Sequence, residues 1–388
     1  MFKYLRFLAG HVLLLTAMAG VLAGSYWMWA GFLVSLLSCI IGDAALGDDI
    51  EEPTYKHPTF FMFTMWTALP LLIILSVAFA WMLGSGDPLG AGLWFKNWTG
   101  WDVFAARDAT NAWGLLGGVL SVGLLYAVSG TDIGHELTHR TYDKLSLIIG
   151  RWMLAFTWDA QFSIEHVYGH HERVCTQRDP ATARRGEIFY SFLLRSFFGQ
   201  LASAWKLEAT RMRKNELFIW SWHNRMLRGY MMSLVITAGF FTIAGVKGAL
   251  LFTLAALFGK SVLEVVNYFE HYGLLREESK PVQPYHSWNS NKLMSNIVLH
   301  NVTRHSNHHA QADIPFWGLR AYTDQPTLPY GYLTSLVFIY FAPWAYRKKM
   351  TPYLLDWDHR YANPAERKLA TRANAASGIY ALTTAPKW

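Results

Sequence analysis

Six long apolar runs dominate this chain, and they rule out an ordinary soluble fold. They lie near residues 6–24, 26–42, 60–83, 112–130, 229–246 and 248–267. Each approaches the ~20 residues that an α-helix needs to cross a bilayer. Lipid offers the backbone no hydrogen-bond partners, so a run of this length must satisfy its own N–H and C=O groups as helix. Composition agrees: 52% of the 388 residues are hydrophobic and 16% charged, against roughly 25% charged in soluble domains. The first run is too long, and too closely joined to the second through Gly20, Gly24 and Ser25, to be a cleaved leader. Two weaker stretches, 145–158 and 331–345, read as interfacial or re-entrant. The expected fold is all-α, a polytopic integral membrane protein of about six transmembrane helices in one domain spanning 1–388.

Basic residues give the orientation. The segment 131–228 holds 14 of the 34 lysines and arginines, 267–388 holds 13, and the 84–111 loop has only Lys96 and Arg107. Six crossings put both basic segments and the N-terminus on one side, which the positive-inside rule makes cytoplasmic. The net charge of +7 is then a topology signal plus attraction to anionic headgroups, and no recognisable nucleic-acid module accompanies it. Cys39 and Cys175 are the only cysteines. Without a CxxC pair the chain has no iron–sulfur or rubredoxin-type domain of its own, so any electrons come from another protein.

Histidine is the chemically loaded residue here. Nine of the fifteen fall at His135 and His139, at His166, His170 and His171, at His271, and at His305, His308 and His309. A catalytic zinc uses three protein ligands and a structural zinc four. Nine imidazoles instead suit two ions of five or six coordinates each, although imidazole alone does not distinguish Fe, Cu, Ni and Zn. His135 and His139 stand at i, i+4, on one helical face. Taken alone, HELTH (135–139) is also the HExxH signature of a zinc protease with Glu136 as base; one such zinc, however, needs one further ligand and not seven. His166 and His170 repeat the i, i+4 spacing with His171 beside them, and His305, His308 and His309 stand at i, i+3, i+4. Asp132, Glu136, Glu165 and Glu270 lie next to these rings in sequence. They are expected to orient the ligands by accepting their outer N–H groups, the alternative being ion pairs with Arg140, Arg151 or Arg173.

Taken together, GHELTHR (134–140), EHVYGHHERV (165–174), NYFEHYGL (267–274) and RHSNHHA (304–310) resemble the membrane alkane 1-monooxygenases, the histidine-box family that includes the fatty acid desaturases. DPATARRGEIFY (179–190) and HSWNSN (286–291) look like the same branch. The resemblance implies a non-haem di-iron centre held by the nine histidines, O2 as co-substrate, and terminal hydroxylation of alkanes. It also implies rubredoxin and its NADH-dependent reductase, or an equivalent ferredoxin-type reductase, as electron supply at a bacterial cell inner membrane. There are departures: VTRHSNHHA (302–310) stands where LQRHSDHHA is more usual, and the tail 356–378 is closer to the xylene and toluene side-chain monooxygenases. Linear alkanes and alkyl-aromatic methyl groups therefore both stay open as substrates. A fatty acid desaturase is a rival within the same chemistry, and an intramembrane HExxH zinc protease is a rival outside it.

Hydrocarbon substrate would enter from the bilayer into a channel between helices two, three, four and six. Its closed far end is expected at Leu36 or Trp66, the bulky side chains at comparable depth in the second and third helices.

Overall fold

The structure, a computed structural model, describes residues 2–388. Among the described residues five helices are long and apolar enough to cross a membrane: α1 (Lys3–Ala23), α2 (Ser25–Leu46), α3 (Thr59–Leu83), α4 (Ala112–His139) and one of 46 residues, Arg225–Glu270. The last is two arms. Ala244 (φ −131°, ψ 15°) and Gly245 (φ 61°, ψ −154°) interrupt it, the second in a region that essentially only glycine occupies. The chain reverses there, so that the Phe240 and Phe252 rings stack at 4.7 Å. Ser233 Oγ then donates to the Ala155 carbonyl while Lys260 Nζ reaches Asp159, so both arms return to one neighbouring segment. The six expected passes are thus five helices, one of them folded back on itself, and α2 and α4 run further than their apolar cores suggested.

Contacts fix which ends lie together. At one end of the bundle Ser25 N–H donates to Thr110 Oγ1, Arg107 donates to the Gly86 carbonyl, and Gly84 lies against the Ile243 carbonyl. At the other end Phe7 stacks beside His300, Ser295 N–H donates to Asp43, and Phe61 packs on Phe316. The histidine-bearing segments all belong to this second end. Two shorter helices, Lys144–Ala155 and Tyr332–Phe341, pack against the second arm of Arg225–Glu270 or its neighbours. They correspond to the weaker apolar stretches. The polar end is completed by helices Phe189–Lys214, Pro343–Arg360 and Pro364–Ala376.

The helix α4 and the second arm approach so closely that a Cβ on Gly123 would sit 2.5 Å from the Ala255 carbonyl oxygen, and one on Gly259 2.8 Å from that of Gly123. Small residues at such a crossing are how membrane helices gain packing energy where lipid supplies no hydrophobic drive. This crossing sets the spacing of the two helices whose polar ends carry His135 and Glu270.

Candidate metal centre

Two turns of π-helix shape the site. One, Tyr126–Thr131, immediately precedes the helical stretch Asp132–His139; the other, His166–His170, lies within the second histidine cluster. A π-turn closes i to i+5 hydrogen bonds and is frequent at functional sites. This changes the expected pairing. His166 keeps the His170 ring beside it, with centroids 5.2 Å apart, but its Nε2 meets that of His171, five residues on, at 3.0 Å.

The structure brings all nine expected histidines together. His135, His139, His166, His171 and His308 form one group, and His170, His271 and His309 another, with ligand atoms in each within 4.8 Å of one another. The ninth ring, His305, joins His271 and Glu270 in a third overlapping set.

These residues fit a metal better than they fit each other. The Nε2 of His135 lies 3.1, 3.0 and 2.9 Å from the Nε2 atoms of His139, His308 and His166. A neutral imidazole nitrogen either donates once or accepts, so one atom cannot satisfy three such neighbours, whereas a cation facing all of them can. Both ring nitrogens of His309 are buried with no hydrogen-bond partner. Burial holds His166, His171, His305, His308 and His309 well below the ordinary histidine range. They are neutral, the form that ligates metal. At His170 burial again opposes charge, but the adjacent Asp179 carboxylate outweighs it and raises the pKa.

The outer nitrogens are oriented by groups that sequence adjacency did not reveal. His170 Nδ1 pairs with Asp179 at 2.9 Å, His271 Nδ1 with the His286 carbonyl at 3.1 Å, and His305 Nδ1 with the Val302 carbonyl at 3.3 Å. Of the four carboxylates expected in this role, none meets an outer nitrogen of the nine. Asp132 pairs with His300, itself outside the nine, at 2.9 Å. Glu136 pairs with Arg140 and Glu165 with Arg173, the ion pairs that were the alternative. Burial and the charge of Asp179 raise the Glu165 pKa to about 7. Glu270 stands in the inner ring: its Oε2 is 3.2 Å from His305 Nε2, and its Oε1 accepts from the Tyr332 hydroxyl. Proximity along the chain was the only signal available, and it does not say which way a side chain turns.

An apolar cavity of about 70 Å³ adjoins the cluster. His135, His166, His305, Asp132 and Glu270 face one side of it, and Val128, Val262, Val266, Leu299 and Leu336 are among those lining the rest. Helices α2 and α3 contribute nothing to this lining, so Leu36 and Trp66, the expected channel end, lie outside this cavity. Leu36 is a partly buried residue packed against the main core. Trp66 donates its indole N–H to Ser146 and packs with Phe7, Phe61 and Met65.

A family profile described as fatty acid desaturase matches residues 110–339. The chain is 33% identical to alkane 1-monooxygenase 2 of Pseudomonas aeruginosa over 82% of this chain and 81% of that protein. It is 32% identical to alkane 1-monooxygenase 1 of Alcanivorax borkumensis, over 86% and 77% respectively. With the hydroxylase component of the xylene/toluene monooxygenase of Pseudomonas putida it shares 28% identity over 96% of this chain and 95% of that protein.

Proposed function

The chain belongs to the fatty acid desaturase family, and from that membership we propose that it hydroxylates the terminal methyl group of alkanes to primary alcohols. The overall change is RH + O2 + 2 e⁻ + 2 H⁺ → ROH + H2O. One observation carries the reading: three rings of the nine-imidazole cage, His135, His166 and His305, face a cavity whose remaining lining is mostly apolar. We assign one iron to His135, His139, His166, His171 and His308, and a second to His170, His271, His305 and His309 with Glu270 beside it. Bound there, a pair of irons supplies the O2 activation and C–H cleavage that protein side chains cannot.

The protein positions the substrate and keeps water out. Val128, Val262, Val266, Leu299 and Leu336 offer a methyl group nothing but dispersion contacts, so its approach to the cage is set by shape. The Tyr332 hydroxyl and His305 fix Glu270, which keeps a buried carboxylate oriented beside the rings. Cavity size favours a chain end over a ring. About 70 Å³ is less than half of the roughly 150 Å³ of an apolar cavity known to hold benzene. The opposing observation is the nearly end-to-end likeness to the xylene/toluene enzyme, which keeps alkyl-aromatic methyl hydroxylation as the second reading. A zinc protease is disfavoured, since the glutamate of HELTH is paired with Arg140.

Electrons reach the cage from rubredoxin and its NADH-dependent reductase, or an equivalent ferredoxin-type system, on the cytoplasmic side of a bacterial inner membrane. The test is a membrane preparation with rubredoxin, reductase and NADH, supplied separately with octane, hexadecane, toluene and xylene. Primary alkanols from the linear substrates are expected, with close to two irons per chain. Alkenes in place of alcohols would move the protein to desaturation, and benzylic alcohols alone would select the second reading.

A further inference from the structure

The apolar cavity beside the histidine cage ends at a ring that lies just outside its lining. Three helices wall the cavity along its length. From α4 come Ala127 and Val128, from the second arm Val262 and Val266, and from helix Tyr332–Phe341 come Leu333 and Leu336. All three start at the cage, with Asp132, Glu270 and Tyr332, and run away from it in step. One helical turn past Ala127, Val262 and Leu336 stand Gly123, Phe258 and Tyr340.

The Phe258 ring fills the space where those three turns meet. A Cβ on Gly123 would lie 2.9 Å from its Cδ1, so α4 makes room for the ring by carrying no side chain there. Tyr340 covers another side of it, with ring centroids 6.3 Å apart and planes at 29°. Phe32 of α2 approaches at 6.4 Å. Both neighbours are themselves held. The Tyr340 hydroxyl bonds Ser261 Oγ at 2.6 Å, and its carbonyl accepts from the Tyr190 hydroxyl. Phe32 N–H donates to Ser121 Oγ on α4. Helix α2 thus meets the far end of the cavity through Phe32, one turn farther from the polar end than Leu36.

Building on the proposed hydroxylase activity, we propose that Phe258 is the far wall of the substrate cavity and sets how long a chain the protein accepts. A methyl group presented to the cage leaves the rest of its chain pointing down the three helices, toward this ring. A space of about 70 Å³ is soon filled by such a chain, and the ring stops further methylenes from being buried. Removing the ring opens the layer of Gly123 and Tyr340 to substrate. Each methylene newly buried contributes about a fourfold gain in affinity, and two contribute about fifteenfold. Tyr340 acts through Phe258, as a positioning residue that keeps the ring across the end of the cavity.

The test uses the full chain in nanodiscs, loaded with iron and supplied with rubredoxin, its reductase, NADH and an equal mixture of octane, dodecane and hexadecane. Phe258→Ala should raise the hexadecanol-to-octanol ratio by about tenfold or more. Phe258→Leu should raise it less and Phe258→Trp should lower it, with iron content unchanged. Should Phe258→Ala lose iron, the other two decide, since they must move the ratio in opposite directions. Leu254→Ala, at an exposed position one turn farther along the arm, should leave the ratio alone. A second readout needs no turnover. Hexadecane carrying a terminal diazirine, activated by light, should label Gly123 and Tyr340 in Phe258→Ala but stop at Val128 and Leu336 in the wild type, and excess hexadecane should suppress both. An unchanged ratio in Phe258→Leu and Phe258→Trp, or the same labelled positions in wild type and Phe258→Ala, would overturn the proposal. If labelling depends on Phe258 in this way but the iron-loaded protein forms no alcohol, the hydroxylase reading falls and the wall stands.

Discussion

At the scale of single residues the ligands differ in what holds their outer nitrogens. His170 leans on a carboxylate, whereas His271 and His305 lean on backbone carbonyls. Only the first can be removed by substitution. Asp179→Asn keeps the shape but loses the charge that sharpens the ring's basicity, and outer partners of this type contribute ten- to a hundredfold in metal affinity or activity. Competition with a graded chelator should find one of the two irons loosened by that factor; equal retention of both would show that Asp179 only braces the loop. Glu136→Gln is the contrasting change. Its partner is Arg140 rather than a ring, so turnover should stay within a few fold of wild type, whereas a protease base would lose orders of magnitude. That the nine histidines would share one site was legible in the sequence, because histidines clustered at helical spacing in a membrane chain have little use apart from ligation. Their supports were not. Asp179 lies nine positions beyond His170, and His300 finds Asp132 across 168 positions, distances over which one sequence carries no pairing signal.

Helices were legible from their apolar runs, and what escaped is the geometry inside them. The expectation of i, i+4 partners assumed α-helix throughout, and the π-turn at His166–His170 shifts the face by one residue, giving His171 to the first ligand group and His170 to the second. Nothing in HVYGHH announces that turn. The reversal at Gly245 was visible only as a gap between two runs. Its φ of 61° with ψ of −154° is strained for any residue with a Cβ, at a cost of order 1–3 kcal/mol. Gly245→Val should therefore lower the unfolding midpoint in detergent while leaving the iron site, at the far end of both arms, with its normal metal content. A second substitution probes the middle of the same arm. Gly259→Leu has no room against the Gly123 carbonyl and must push the second arm away from α4. Alcohol yield per NADH consumed should fall, because the cavity between those helices loses its fit to the chain end. An unchanged yield would mean that the crossing does not set the cavity's width.

Across the whole molecule, one arrangement puts all nine clustered histidines at one end and the 84–111 loop at the other. The core of the bundle is apolar, but it also holds Lys260 between Asp159 and Glu264 at 2.7 and 2.8 Å, all buried. Lys260 is hidden within an apolar run, since a single lysine scarcely lowers a window's hydropathy. Buried Arg185, bonded to Asp358 through both terminal nitrogens and to the Gly273 carbonyl, ties the tail to the NYFEHYGL segment in a comparable way. Removing one partner of a buried pair leaves the other charge unmatched, at about 3–5 kcal/mol. Asp358→Ala should therefore destabilise the polar end. Orientation in the bilayer rests on charge, with 14 and 13 of the 34 basic residues in the two histidine-bearing segments, and it decides whether a soluble carrier can reach the metals at all. The native cysteines, Cys39 and Cys175, are both buried, so an added cysteine can be labelled over little background. Leu89, fully exposed in the 84–111 loop, and Arg360, whose only ion pair among the described residues is the exposed one with Asp356, are suitable sites, because exposed pairs contribute little to stability. In intact cells a membrane-impermeant maleimide should modify Leu89→Cys at once and Arg360→Cys only after the membrane is opened. The reverse pattern would put the cage outside, beyond any cytoplasmic carrier, and the proposed reaction would lose its source of electrons.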